Sequence, residues 1–350
     1  MRSFDYSFLE QGMLPAGFIN TTSAIATLRE RESERRDNYP DVFLRLESIA
    51  RVQSVRGSNA IEGIVTSEQR INEIVNQKSE PLNHDEAEIA GYRDALDLIH
   101  TGFETLDIRE HDILRLHEIM LSYTTEQGGV YKQVDNVIVD TNAMGIRRIR
   151  FSPTPAHETA ATMEQLILAF VDARSNYHIN QLLLIPCFVF DFLCIHPFSD
   201  GNGRISRLLS LLLLYKNGFN AGKYVSFEEK INSNKAQYYE ALRLSSDKWH
   251  EGKNSYFPFV NNFITTLMLC YKELDKRFAV VNAKKATKQQ RIEATVLNSL
   301  LPISKKEVCY ALPDVSPTTV EAILAQMLKS GQIEKIGRGR NTRYLKKHSG

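Results

Sequence analysis

Side chains suited to catalysis are concentrated in a single stretch, His196 to Arg207, with the sequence HPFSDGNGRISR. The imidazole of His196 has an ordinary pKa near neutrality, as a general base requires. The carboxylate of Asp200 is a hard oxygen ligand of the kind that Mg²⁺ takes when it also binds phosphate oxygens. Arg204 and Arg207 are three residues apart, so on a helix they share a face and can reach the same phosphate chain.

The same stretch contains a backbone suited to anions. Gly201 and Gly203 allow backbone angles that other residues avoid, and they let amide N–H groups approach a ligand closely. The glycines lead into a predicted helix, whose N-terminal amides and dipole favour an anion. Taken one at a time, a histidine at a helix end is more often a cap, and Gly-Asn-Gly is more often a turn. The combination predicts nucleotidyl or phosphoryl transfer.

The elements that position this stretch are predicted to be helices. Apolar residues recur at three- and four-residue spacing through 41–56, 86–101, 109–122, 158–174, 179–195, 204–217 and 255–278. Glycines after such runs are predicted to end them, namely Gly57, Gly63, Gly102, Gly128, Gly129 and Gly218. The catalytic stretch therefore lies between two strongly apolar helices. The β-branched segment 130–151, with Asn142 and Gly145 inside it, predicts a two-stranded hairpin.

Composition and charge are those of a globular protein with a distinct basic end. The chain has 350 residues, 43% of them apolar and 24% charged, which is long enough for two or three domains. Residues 284–347 contain 13 Lys or Arg against 5 Asp or Glu, a net charge of +8 that leaves −7 on the rest. The scattered cysteines and the lack of a leader pattern at the N-terminus predict a cytoplasmic protein without a membrane span.

The basic end has a pattern of its own, which follows a polar, Lys-rich segment at 279–290. Helices are predicted at 289–300, 304–311 and 317–330, the last with Ser316 as N-cap and Pro317 at its first position. Two short strands, 332–336 and 342–345, complete the order of a winged helix-turn-helix. Positive charge is concentrated in the predicted wing and the residues after it, at Lys335, Arg338, Arg340, Arg343, Lys346 and Lys347.

The catalytic stretch resembles the signature of Fic domains, H-P-F-x-[DE]-G-N-G-R-x-x-R, and matches it at every fixed position. Flanking segments are also similar to those of Fic proteins: Ile113–His117, Gly129–Tyr131 and Tyr238–Leu242. The resemblance covers roughly residues 40–265. It implies a mainly α fold, a Fic-type helical bundle with a small β-hairpin flap, to which the predicted winged helix-turn-helix is added. The predicted domains are an N-terminal helical region (1–105), a catalytic domain (106–278) and the winged domain (285–347).

The resemblance implies a role for each residue of the site. His196 would deprotonate a Ser, Thr or Tyr hydroxyl of a target protein, which attacks the α-phosphate of ATP. Asp200 would hold Mg²⁺, and Phe198 would anchor the loop in the core. The implied ATP-binding residues are Gly201, Asn202, Gly203, Arg204, Ile205, Ser206, Arg207, Tyr238 and Tyr239. A strand at Val134–Val139 would form the flap that aligns the target, with Val134, Asn136, Val137 and Ile138 as its contact residues. Lys132 stands where many relatives have arginine.

A second motif, at 58–63, reads Ser-Asn-Ala-Ile-Glu-Gly. Its local pattern predicts a short capped helix that begins at Ser58 after Gly57 and ends at Gly63. Spacing alone favours a solvated glutamate on a surface turn. The segment is, however, similar to the Fic inhibitory motif [ST]-x-x-x-E-[GN]. That resemblance implies that Glu62 pairs with Arg207 and denies it to the γ-phosphate of ATP.

The predicted function is therefore an autoinhibited protein adenylyltransferase, with ATP and Mg²⁺ as cofactors and target proteins that include the chain itself. In Doc-type relatives, phosphotransfer goes with replacement of the Gly-Asn-Gly-Arg segment, which is intact here, so the resemblance favours AMP transfer. Relatives that transfer phosphocholine use the same loop. The alternative from another class is a nucleotide-sensing, DNA-binding transcription regulator whose Fic body transfers nothing. The basic domain predicts either DNA or a docking protein as partner, and the sequence does not determine whether the chain forms a homo-oligomer.

Overall fold

The computed structural model describes residues 2–141, 147–282, 287–297, 299, 302–312, 315–337, 339 and 342–347. The chain divides into two compact units, Met1–Tyr271 and Lys272–Gly350. The first contains the predicted N-terminal helical region together with most of the predicted catalytic domain. Within the described residues, no helix combines the length and the apolar character that crossing a membrane would need.

The first unit is helical apart from one hairpin. Its helices are α1 (Phe8–Gln11), α2 (Ala16–Asn38), α3 (Pro40–Ile61), α4 (Glu68–Gln77), α5 (His84–Gly102), α6 (Glu110–Leu121), α7 (Ala156–Ser175), α8 (Gln181–Ile195), α9 (Asn202–Lys216), α10 (Ala221–Tyr224), α11 (Phe227–Ser233), α12 (Lys235–Ser246) and α13 (Phe257–Asn282), which extends past Tyr271. The strands β1 (Ile138–Thr141) and β2 (Arg147–Phe151) pair antiparallel, with Ile138 opposite Phe151. The expectation of a mainly α fold with a small hairpin is confirmed.

Helix α8 forms the centre of this unit. Every residue from Leu182 to Ile195 is buried, which is the pattern of a helix surrounded by others. The side chain of Asn180 caps its first turn by accepting from the Leu182 amide at 3.0 Å. Helices α7 and α9 both pack against α8, and α5 packs against α9. Since α8 ends and α9 begins at the catalytic stretch, the loop is supported by the most buried part of the unit.

Helix α3 corrects the prediction for the segment around Gly57. The helix continues through Gly57 to Ile61, so Gly57 does not end it and Ser58 is not the N-cap of a new helix. A Cβ on Gly57 would lie 2.8 Å from the backbone nitrogen of Glu229 in α11. The glycine is therefore needed for close packing of two helices rather than for a turn. The predicted stop at Gly63 is confirmed, because Gly63 has a φ of +88°.

Beyond α13, the described residues of the second unit form three helices and a hairpin in the predicted order. They are α14 (Lys288–Leu297), α15 (Lys305–Ala311), α16 (Pro317–Lys329), and the antiparallel strands β3 (Ile333–Ile336) and β4 (Arg343–Lys346). Ser316 caps α16 with Pro317 at its first position, as expected. The hydrophobic core of the second unit includes Ile292, Val308 and Leu324. Arg338 and Arg340 of the predicted wing lie outside the described residues, as do Asn142 and Gly145 of the first hairpin.

Candidate active site

The catalytic loop begins with a residue in an unusual conformation. His196 follows α8 with a φ of 53°, in the left-handed region that residues other than glycine seldom adopt. Its amide donates to the Phe192 carbonyl at 2.9 Å, which closes the last turn of α8. Its ring Nδ1 lies 3.2 Å from the carbonyl of Leu193. Because a carbonyl can only accept, Nδ1 carries the proton and Nε2 holds the lone pair.

The surroundings of His196 keep its imidazole neutral. Burial lowers the pKa of His196 to about 4, and the nearby charge of Lys132 acts in the same direction. Glu62 and Asp200 act in the opposite direction but do not outweigh burial. A neutral imidazole with its lone pair on Nε2 can accept a proton, so the geometry fits a general base.

The loop is held in shape by its own side chains. Asn202 Oδ1 accepts from the amide of Phe198 at 2.9 Å, and Asn202 Nδ2 donates to the carbonyl of the same residue at 2.8 Å. Phe198 is fully buried, as expected for the anchor of the loop. Because both polar atoms of the Asn202 side chain are used in this way, the part of Asn202 suited to a phosphate is its backbone amide.

Helix α6 supports the loop from one side through His117. The His117 ring stacks on Phe198, with centroids 3.7 Å apart and an interplanar angle of 12°. Its Nε2–H donates to the Asp200 carbonyl at 3.2 Å, while its Nδ1 accepts from the Gly129 amide at 3.1 Å. Burial lowers the pKa of His117 to about 4, which keeps it neutral. His117 thus acts as a structural support on the side of the loop where Asp200 lies.

A second support comes from the segment before β1. The amide of Lys132 donates to the Pro197 carbonyl at 2.9 Å, and its buried ammonium donates to the Ile195 carbonyl at 3.2 Å. Asn136 donates to the Phe198 carbonyl at 3.1 Å. The residue that departs from the common arginine therefore binds the carbonyls on both sides of His196.

The start of α9 provides the predicted anion site. Gly201 is the N-cap with a φ of +79°, and the amides at the beginning of a helix have no partner within it. The amide of Ile205 donates to the Gly201 carbonyl at 2.9 Å, and its side chain lies in the core. Ser206 is also buried, with its hydroxyl bonded to the Gly203 carbonyl at 2.7 Å. The amides from Gly201 to Arg204 therefore remain the predicted phosphate cradle.

Arg204 is held by two carboxylates. One Nη atom contacts Glu88 of α5, and the other donates to Asp200 Oδ2 at 2.7 Å. The guanidinium side chain is only 1% exposed, whereas the Asp200 side chain is 56% exposed. Arg204 is thus fixed by α5, and Asp200 presents its carboxylate towards solvent.

Arg207 is occupied by the end of α3. Its Nε donates to the Ser58 hydroxyl at 2.8 Å, and its Nη2 donates to the Ser58 carbonyl at 3.0 Å and to Glu62 Oε1 at 2.7 Å. Glu62 also covers the start of α9, because a Cβ on Gly203 would lie 2.3 Å from its carboxylate oxygen. A carboxylate therefore occupies the place where the sequence predicts a phosphate.

A cleft of about 560 Å³ opens beside the loop, and both Glu62 and His196 line it. Tyr238 and Tyr239 of α12 form part of its wall. Tyr238 is buried beside Ser206 and Arg207, whereas Tyr239 lies with its ring 5.8 Å from the guanidinium of Arg150. The cleft is also lined by Ile138, Val139, Arg150 and Phe151 of the hairpin and by Val137, which precedes it.

The predicted flap strand at Val134–Val139 is wrong in its position. Strand β1 begins only at Ile138, so Val134, Asn136 and Val137 precede it. Strand β2 ends at Phe151, which pairs with Ile138. Ser152 and Pro153 follow directly, so the residues before Ile138 have no strand to pair with. The run of β-branched residues therefore begins before the point at which the strands begin to pair.

The residues present fit ATP with Mg²⁺. The Glu62 carboxylate at the start of α9 shows that this position accommodates an anion, and Asp200 offers an exposed oxygen ligand. Among the described residues, no group of three or more His, Cys, Asp or Glu side chains is placed to hold a metal. A single carboxylate that shares the ion with phosphates is consistent with that finding.

Sequence reasoning assigned no role to three residues of the site. Glu88 fixes Arg204, and His117 and Lys132 support the loop. The available signals were a carboxylate within the small and apolar run of α5, and polar residues in segments similar to those of Fic proteins. None of these signals indicates which atom of the loop each residue contacts.

Comparisons with known proteins identify relatives of this chain. The family model described as Fic/DOC family matches residues 107–214. A Fido domain-containing protein of Dictyostelium discoideum is 36% identical over 121 residues, which are 35% of this chain and 78% of that protein. The structure of a Fic family protein from Desulfovibrio desulfuricans matches with a TM-score of 0.62 at 21% identity, covering 97% of this chain and 98% of that one.

A Fic domain-containing signaling protein from Bacteroides thetaiotaomicron also matches, with a TM-score of 0.61 at 21% identity, over 72% of this chain and 96% of that one. The helical fold, in which a loop that begins with a histidine leads into a helix, defines the class of protein to which this chain belongs. This chain belongs to the Fic/DOC family. Members of that family commonly transfer AMP to proteins and generally use ATP with a metal ion.

Proposed function

We propose that this chain is a protein adenylyltransferase that is held inactive by Glu62. The observation that carries the proposal is that His196, the start of α9 and Arg207 line one cleft, with the lone pair of the histidine on Nε2. A base, an anion cradle and a cation in one cleft are the parts that transfer of a nucleotidyl group needs.

In the proposed reaction, a Ser, Thr or Tyr hydroxyl of the target protein loses its proton to His196 Nε2. Its oxygen forms a bond to the α-phosphorus of ATP, the bond from that phosphorus to the bridging oxygen breaks, and pyrophosphate leaves. The amides from Gly201 to Arg204 hold the phosphates, and Arg207 neutralises the γ-phosphate. Asp200 would hold Mg²⁺, which would offset part of the phosphate charge.

Glu62 and ATP would compete for the same positions. The Glu62 carboxylate bonds Arg207 Nη2 at 2.7 Å and lies against Gly203, at the start of α9. A triphosphate that used Arg207 would have to displace this contact. We therefore infer that the end of α3 lowers the fraction of productively bound ATP.

The donor group can be tested with ATP that carries its label on either the α- or the γ-phosphate. The Glu62→Gly protein is incubated with each, with Mg²⁺ and a lysate as source of targets. Label is counted above that of the same lysate without the added protein, because kinases in the lysate transfer the γ-phosphate. Added label from the α-position alone supports AMP transfer. Added label from the γ-position would show phosphotransfer, and CDP-choline as the donor of label would show phosphocholine transfer. A non-transferring nucleotide sensor would give no label from any donor.

We propose that the second unit contains the predicted winged helix-turn-helix domain (285–347), and that this domain binds DNA or a docking protein. Arg343, one of the predicted wing residues, donates to the Pro302 carbonyl at 3.1 Å and pairs with Glu307. Part of the positive charge is therefore used within the unit. DNA binding predicts a steep fall of log affinity with log salt concentration, whereas protein docking predicts a flat response.

A further inference from the structure

The carbonyl groups on both sides of the catalytic histidine are bound by one residue. Lys132 donates from its ammonium to the Ile195 carbonyl at 3.2 Å and from its amide to the Pro197 carbonyl at 2.9 Å. Its side chain is buried, with 2% of the residue exposed. The chain before and after His196 is thus fixed to the same point of the segment that leads to β1.

Asn136 extends this contact to the next residue of the loop. Its Oδ1 accepts from the Lys132 ammonium at 2.9 Å, and its Nδ2 donates to the Phe198 carbonyl at 3.1 Å. Both amide atoms are used, so a single orientation of the side chain satisfies both bonds. Lys132 and Asn136 together hold the carbonyls of Ile195, Pro197 and Phe198.

His196 needs such support because of its backbone. Its φ of 53° is unfavourable for a residue with a Cβ, and such a conformation persists where the surroundings enforce it. The Ile195 carbonyl also belongs to the last turn of α8, where carbonyls lack partners within the helix and a positive charge is favourable. The buried ammonium meets both needs at once.

We propose that Lys132 and Asn136 are positioning residues that set the orientation of His196 and place the Lys132 ammonium beside the backbone that carries its ring. The inference rests on the proposed transfer reaction for its effect on rate. Neither residue is assigned contact with ATP, because their bonds are to 195–198 whereas the phosphate cradle lies at 201–204. The contact of Asn136 with the loop also differs from the target contact that the family resemblance implies for it.

Charges around the two groups are consistent with this role. Burial lowers the pKa of Lys132 to about 8, with Asp135 acting in the opposite direction, so that Lys132 is mostly protonated at neutral pH. The charge of Lys132 lowers the pKa of His196, against the effects of Glu62 and Asp200. Loss of the ammonium should therefore raise the pKa of His196 towards its ordinary value.

The test compares Lys132→Met with its parent, Glu62→Gly, by the rate of AMP incorporation into lysate proteins at saturating ATP. We expect a rate about 10- to 100-fold lower, as for a catalytic group displaced by a fraction of an ångström to an ångström. The ATP dissociation constant should change less than about twofold, since the cradle is untouched. Lys132→Arg, which keeps the charge and the donors, should recover part of the rate. Asn136→Ala serves as a second variant if Lys132→Met does not fold.

Lys216→Met is the matched control. Lys216 also donates to main-chain carbonyls, including that of Leu106 at 2.7 Å, but at the other end of α9. It should keep the parental rate. A parental rate in Lys132→Met and Asn136→Ala, or a loss of ATP affinity equal to the loss of rate, would overturn the positioning role.

A readout without activity separates this inference from the proposed function. The His196 ring is titrated by NMR in the Glu62→Gly protein, with its signals assigned by comparison with His196→Ala. Lys132→Met should raise its pKa, and Lys216→Met should leave it unchanged. An unchanged pKa in Lys132→Met overturns the inference. If the parent transfers no AMP at all, the proposed function fails, and this titration still decides the role of Lys132.

Discussion

The catalytic loop and the end of α3 meet at Arg207, and they are constructed differently. The loop is bonded by its own Asn202, by His117 from α6 and by Lys132 from the segment before the hairpin. The last two contacts come from other elements, 83 and 63 residues away in sequence. The end of α3 reaches Arg207 through Ser58, which lies within the helix, and Glu62, which directly follows it.

The two parts also differ in how easily they could move. The body of α3 is fixed, because Ser54 bonds the buried Glu228 at 2.8 Å and Gly57 lies against α11. Glu62 comes after the helix, has a side chain that is 33% exposed, and is followed by Gly63, whose surroundings impose no contact on a Cβ. The loop is therefore held by several contacts, whereas the proposed block on Arg207 depends on a partly exposed side chain just after a helix.

The largest effect is expected when the proposed base, His196, is removed from the loop. In the Glu62→Gly background, His196→Ala should lower AMP incorporation by about 10²- to 10⁴-fold, because the proposed general base for the target hydroxyl is then lost. The exposed His157→Ala is the control and should retain activity. A double variant as active as Glu62→Gly would remove His196 from the mechanism.

The next effect concerns the exposed carboxylate of the loop. Asp200→Asn keeps the shape of the side chain but weakens its binding of Mg²⁺, so the rate should fall about 100-fold and recover partly at high Mg²⁺. The measurement is AMP incorporation against Mg²⁺ concentration, with the surface variant Asp172→Asn as the comparison. Identical Mg²⁺ dependence in both variants would contradict the metal role of Asp200.

A smaller effect is expected from the support that α6 provides. His117→Phe can keep the stacking on Phe198 but loses the bond to the Asp200 carbonyl, which is worth about 1–1.5 kcal/mol. If this loss of free energy is added in full to the activation free energy, the rate falls about tenfold. Thermal unfolding of the same variant, measured alongside, shows whether stability falls with it. An unchanged rate would show that the loop does not need this support.

The smallest effect is the dependence of the rate on pH. The folded protein disfavours the imidazolium of His196, whose pKa is lowered to about 4, so the base is already neutral well below pH 6.5. The rate of Glu62→Gly should change less than about twofold between about pH 5.5 and 7.5 on account of this group, and should fall only as pH approaches 4. A half-maximal rate near pH 6.5 would indicate an imidazole with an ordinary pKa.

The contiguous part of the site could be predicted from the sequence, and the rest could not. His196, Asp200 and Arg207 lie in one short stretch whose spacing defines a loop and a helix start. The pairing of Glu62 with Arg207 was predicted from the resemblance, since the two residues are 145 positions apart. No simple sequence pattern links Lys132 or His117 to the loop. Only the packing of elements shows which carbonyl each one binds.

Fold prediction succeeded where the apolar spacing is strong and failed where it is not. The helices around the loop begin and end within a few residues of their predicted limits. Helix α2 was missed because most of its residues are polar and it buries only Phe18, Ile25 and Glu32. Gly57 was predicted to end a helix because a glycine required by close helix packing has the same local signal as one required by a turn.

The most direct test of the account is the rate of AMP incorporation from α-labelled ATP by the wild-type chain and by Glu62→Gly under identical conditions. The label is measured both on the chain itself and on lysate proteins. We expect at least about tenfold faster labelling by Glu62→Gly, because loss of one charged hydrogen bond of about 1.5–3 kcal/mol exposes Arg207 to the γ-phosphate. Equal labelling by the two proteins would contradict the block by Glu62, and absence of label from both would contradict the transferase.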